Sequence, residues 1–130
     1  MAVTLRLLPD RLAICRLEPD SPVPDWCLGG GFRTVSWTAE ETSVVCPESG
    51  VPAEVRAERG WRAFMVEGPL DFSQTGVLAE IAEPLARADI SIFVVSTFDT
   101  DFVLVREASV DEAQRVLARE ATGAALRDSH

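Results

Sequence analysis

Gly68-Pro69-Leu70-Asp71-Phe72-Ser73-Gln74-Thr75-Gly76-Val77 is the stretch on which the reading of this chain turns. The Gly-Pro pair punctuates the end of an apolar run over 61–67, which is predicted to be a strand. A polar loop follows. From position 77 onward Val77, Leu78, Ile81, Ala82 and Leu85 recur at helical spacing, so 74–88 is predicted to be an amphipathic helix with one apolar face. Ser73 is its predicted N-cap. Pro84 lacks the N–H that would bond the Glu80 carbonyl, and a kink or break is expected there. The segment therefore reads strand, loop, helix.

Outward from it, 90–96 and 101–106 are apolar at nearly every position and read as central strands covered by helices. They are joined by the tight acidic connection Ser96-Thr97-Phe98-Asp99-Thr100-Asp101. A second helix is predicted over 109–120, where Ser109 and Glu112 have capping-box spacing. The tail 121–130 carries no pattern and is expected to be disordered. Upstream, 5–8 and 12–17 read as strands. A proline-rich loop over 19–25 leads to a helical turn near Trp26, and Gly29-Gly30-Gly31 lets the chain reverse. Strands follow at 32–37 and 42–46, joined by Thr38-Ala39-Glu40-Glu41. A short helix is expected over 52–57, with Pro52 in its first turn.

Laying Phe32 on Ser91 brings Trp37–Cys46 over Ser96–Val105 and Glu48 onto Glu107. Each half then reads as a β-α-β-β-α unit. That repeat predicts an α+β fold of tandem ferredoxin-like βαββαβ modules, with antiparallel sheets and helices on one face. The expected division is a degenerate unit over 1–60 with a shortened first helix, a full unit over 61–120, and the tail. Seven strands are readable where two modules need eight, so one is missing, shared, or supplied from elsewhere, and the N-terminal strand is a candidate to complete the second module.

Composition excludes several functions. The formal net charge is −9 and every basic residue is arginine, so the footprint needed for nucleic acid or an anionic membrane surface is lacking. No apolar run approaches the roughly 20 residues of a membrane-spanning helix, and the N-terminus lacks signal-peptide character. A cytoplasmic protein is expected. Cys15, Cys27 and Cys46 have no Cys-x-x-Cys pairing and suggest neither a disulfide framework nor zinc. His130 is the sole histidine, and lysine is absent, which removes the usual base and Schiff-base chemistry. No enzyme activity and no cofactor are expected.

The loop, helix, strand and hairpin over roughly 61–107 resemble the ACT family, and within it the subgroup of animal cytosolic arginine sensors (the CASTOR type). Val66-Glu67-Gly68-Pro69 through Pro84-Leu85, Ala88-Asp89-Ile90-Ser91 and Val95-Ser96 through Leu104-Val105 carry the likeness. The resemblance implies a regulatory module that binds a free amino acid between the loop and a neighbouring strand edge, at an inter-module or dimer interface. The implied ligand residues are Asp71, Ser73, Gln74, Thr75, Gly76 and Val77 from the loop and helix start. Ser96, Thr97, Phe98, Asp99 and Asp101 complete them from the hairpin. Physically, a helix N-terminus offers unpaired amides to a carboxylate, and the aspartates offer charge to an ammonium or guanidinium group. Gln74 stands where the arginine sensors carry an acidic residue, so the likeness extends to an amino acid without specifying arginine. Those sensors hold about twice as many such units, which implies a homodimer here. The alternative is a dimerisation or partner-docking module, acting on an unidentified protein, with a vestigial ligand site.

Overall fold

Alternation along the strands sets the cores of this protein. In the computed structural model, which describes residues 3–67, 76–120 and 124–128, the chain divides into two compact units. One is Asp10–Trp61; the other joins the residues up to Pro9 with those from Arg62 onward.

The strands are β1 (Val3–Leu7), β2 (Leu12–Leu17), β3 (Thr34–Trp37), β4 (Thr42–Pro47), β5 (Ala57–Val66), β6 (Ile92–Ser96), β7 (Asp101–Arg106) and β8 (Ala124–Asp128). The helices are α1 (Val77–Arg87) and α2 (Val110–Glu120). In the Asp10–Trp61 unit the strand order is β3-β4-β2-β5, with antiparallel pairing throughout. In the other unit the order is β6-β7-β5-β1-β8. There β1 runs antiparallel to β5 and parallel to β8. The fold is ferredoxin-like α+β, as the sequence predicted.

Leu5 pairs with Val66 and Leu7 with Phe64, so these four side chains share one face of the sheet. They belong to a single buried core with Val77, Ile81 and Leu85 of α1 and Val110, Ala113, Val116 and Leu117 of α2. Both helices therefore cover that face. The smaller unit has a core of Ala13, Cys15, Cys27, Val44, Cys46 and Val51. Its only helical elements among the described residues are the short 3-10 turns Asp25–Cys27 and Glu48–Gly50.

The structure differs from the sequence reading at several points. Residues 124–128 form β8 instead of a disordered tail; five residues of weak pattern become a strand because β1 presents an edge to pair with. The N-terminal strand lies beside β5 and completes the second unit, one of the arrangements the strand count left open, so it does not group with the other residues of 1–60. The expected helix over 52–57 is reduced to a turn, with Val55 N–H bonding the Pro52 carbonyl at 3.1 Å. Pairing with β2 draws the chain into β5 from Ala57 onward. Helix α1 starts at Val77, with Gly76 rather than Ser73 in the cap position.

Lastly, β6 pairs only with β7 among the described residues and is half-buried along its apolar run, so it is an edge strand and not a central one. Nor does Pro84 break α1. The Ala88 N–H reaches the Pro84 carbonyl at 3.1 Å, and Pro84 itself is buried. The helix stops instead at Asp89, whose φ of 61° is left-handed. The Ile90 and Asp89 amides close back on Leu85 and Ala86 at 2.9 and 3.0 Å, a Schellman motif.

Candidate functional site

The β6–β7 connection is built by short polar side chains that bond their own backbone. Ser96 faces Asp101 across the strand pair, and its hydroxyl donates to Asp101 Oδ1 at 2.6 Å. The Thr97 amide and hydroxyl both donate to the Thr100 carbonyl, at 2.8 and 3.1 Å. Asp99 is exposed, and Phe98, at 81% exposure, stands at the tip. The β3–β4 connection repeats the arrangement: the Thr38 amide donates to the Glu41 carbonyl at 2.9 Å and its hydroxyl does so at 3.3 Å.

Thr100, which the sequence reading passed over, fixes this hairpin in place. It is only 6% exposed, and its hydroxyl donates to the Val66 carbonyl at the end of β5. The acidic turn is thereby tied to the last residue of β5. The one signal in the sequence was a threonine beside an apolar strand, which is indistinguishable from an ordinary turn residue.

At the start of α1, Gly76 has φ 89° and makes no side-chain cap. A Cβ added there would meet nothing within 4 Å among the described residues. The first intrahelical bond runs from the Glu80 amide to the Gly76 carbonyl at 2.9 Å. The amides of Val77, Leu78 and Ala79 precede it and belong to the first turn, where a helix leaves its amides without intrahelical partners. Val77 itself is 3% exposed and belongs to the core; only its backbone is placed to meet a ligand. The predicted site residues Asp71, Ser73, Gln74 and Thr75 lie outside the described residues.

All three cysteines, distant in sequence, are buried in the Asp10–Trp61 unit. The Cys46 thiol hydrogen-bonds the Cys15 sulfur, which lowers the Cys15 pKa and raises that of Cys46. Burial raises the Cys27 thiol. Among the described residues no group of three or more His, Cys, Asp or Glu side chains is placed to hold a metal ion. No described helix is long and apolar enough to cross a membrane.

Two family models match the chain: the ACT domain over residues 56–119 and a model described as an N-terminal domain over residues 10–54. The human protein named cytosolic arginine sensor for mTORC1 subunit 1 is 44% identical over 66 residues, covering 50% of this chain and 20% of the sensor. This chain therefore corresponds to a small part of that relative. Among solved structures, protein Atu0741 from Agrobacterium tumefaciens is 36% identical with a TM-score of 0.92, covering 100% of this chain and 96% of that one. The regulatory subunit of aspartate kinase from Thermus flavus shares the fold at 12% identity and a TM-score of 0.66, covering 92% and 99%.

Proposed function

Residues 56–119 of this chain match the ACT-domain family, and from that premise we propose that the chain is a non-catalytic regulatory module that senses a free amino acid. The observation that carries the reading is the Thr100 anchor. It ties an acidic hairpin to the end of β5, the strand that precedes α1 in the chain. A zwitterion needs both ends of such an arrangement. Its carboxylate meets the α1 amides and the positive end of the helix dipole. Its ammonium group, or a basic side chain, meets Asp99 and Asp101. Asp71, Ser73, Gln74 and Thr75 would complete the site from the loop, with Ser96, Thr97 and Phe98 on the opposing side.

In this reading the chain is cytosolic and carries two ACT-like units, the first lacking a full helix. It forms a homodimer whose second protomer walls the site. Binding favours one relative arrangement of units or protomers, by as much as the ligand's affinity differs between them. The alternative, a docking or dimerisation module, draws on the fact that Asp101 already accepts the Ser96 hydroxyl.

Thermal-shift measurements against the free amino acids at millimolar concentration test the proposal. A stabilising shift in the wild-type chain, lost in Asp101→Ala, is expected. No shift with any amino acid, in a chain that is dimeric by light scattering, favours the docking reading instead.

A further inference from the structure

The two hairpins hold the same place in their units. The strand order β3-β4-β2-β5 has its counterpart in β6-β7-β5-β1. The hairpins β3–β4 and β6–β7 therefore match. So do β2 and β5, the strands that precede the Asp25–Cys27 turn and α1 in the chain. Trp37 pairs with Thr42 at the end of one ladder and Ser96 with Asp101 at the end of the other. These are the same pairs that the internal repeat lays over each other. Each hairpin is also tied to its preceding strand. The Arg16 guanidinium of β2 donates to the Glu40 carbonyl at 2.9 Å, as Thr100 donates to the Val66 carbonyl of β5.

The closing pairs are used differently. In the Asp10–Trp61 unit the pair grips the chain itself. Thr42 is fully buried, and its Oγ1 accepts the Ser21 amide at 3.2 Å. The Trp37 indole N–H donates to the Ser21 carbonyl at 2.8 Å. Both backbone groups of Ser21 are thus held by a hairpin distant in sequence. The Ser21 hydroxyl and amide also reach the Glu18 carbonyl, at 2.6 and 3.3 Å, so the loop presents itself as a formed turn. In the other unit the pair is turned on itself, with the Ser96 hydroxyl donating to Asp101 Oδ1. It also carries a carboxylate where the first carries a neutral hydroxyl. A hydroxyl suits a peptide N–H; a carboxylate suits a charged donor.

We propose that the Asp10–Trp61 unit is a self-closed copy of the hairpin site. The Ser21 backbone, latched by Trp37 and Thr42, takes the position that a ligand takes in the other unit. Each chain accordingly binds one amino acid, and the Asp10–Trp61 unit does not respond to it. The stoichiometry rests on the sensing reading given above; the latch does not.

The test has two arms on the full chain. Calorimetric titration with individual free amino acids at millimolar concentration should give one bound molecule per chain. Hydrogen exchange by NMR reads the latch without any ligand. The Ser21 amide and the Trp37 indole N–H should both be protected, and equally so with and without the amino acid. In Thr42→Val, shown to be folded by circular dichroism, both should exchange about tenfold faster. Trp37→Phe should release the Ser21 amide in the same way. Two molecules bound per chain would overturn the proposal while leaving the sensing reading intact. Exchange that is unprotected in wild type, or unchanged in Thr42→Val, would overturn it as well. Binding by no amino acid would remove the sensing reading and the stoichiometry with it, and the exchange arm then decides the latch alone.

Discussion

Replacing Thr100 with valine isolates the contact that positions the acidic hairpin. The side chain is 6% exposed and donates to the carbonyl of Val66, a residue with no exposure at all. Valine has nearly the same volume, so no cavity forms; what is lost is the donor, leaving a buried carbonyl short of a partner. Such a loss costs about 1–3 kcal/mol. The control is Thr100→Ser, which keeps the hydroxyl and gives up one buried methyl, worth about 0.8 kcal/mol. The hydrogen bond outweighs the methyl, so the expected order of stability is wild type, then serine, then valine. In a chain of this size 1 kcal/mol moves the melting temperature by roughly 3–5 °C, and the valine variant should melt roughly 3–15 °C lower. Urea unfolding should show the midpoint falling with an unchanged m-value. A valine variant as stable as wild type, or more stable than the serine variant, would refute the reasoning.

Two further outcomes follow from the same geometry. Gly76→Ala should destabilise the chain by about 1 kcal/mol in thermal unfolding, from its left-handed backbone alone, since the added Cβ meets nothing within 4 Å. Because the penalty is backbone strain, Gly76→Asn, which tolerates that conformation, should recover much of it. Burial raises the Cys27 thiol above its ordinary value of 9.0, so the unfolded chain releases that proton first on raising the pH. The contribution to stability is full below about pH 9 and is lost as the pH rises through the folded value. Melting temperature should therefore fall between about pH 8 and about pH 10 more steeply in wild type than in Cys27→Ala.

The parts of the fold that were legible in the sequence are those whose information is local. Strands β2 and β7 carry their own apolar pattern and turn residues, and their observed bounds coincide with the predicted 12–17 and 101–106. The β6–β7 connection was readable because threonine and aspartate bond their own backbone wherever they stand in a tight turn. The start of α1 was less legible. Ser73 is a good capping residue by type, yet the cap falls on Gly76, because a left-handed residue at that point ends the helix whatever precedes it. The edge position of β6 was not legible either: a continuous apolar run looks the same in a central strand and in an edge strand that is half covered.

By itself, the sequence determined most of the strands and both long helices, the ferredoxin-like class, the ACT resemblance and the acidic hairpin, since periodicity, turn chemistry and side-chain type are properties of neighbouring residues. Only the tertiary structure decided that β1 joins β5 and that the last residues make β8, because strand pairing depends on which edges are left open in space. It also decided that three scattered cysteines lie buried in one unit and that Thr100 holds the hairpin to Val66. The same is true of the grip of Trp37 and Thr42 on Ser21. Each of these joins residues far apart along the chain, and no local pattern records which distant partner a residue will meet.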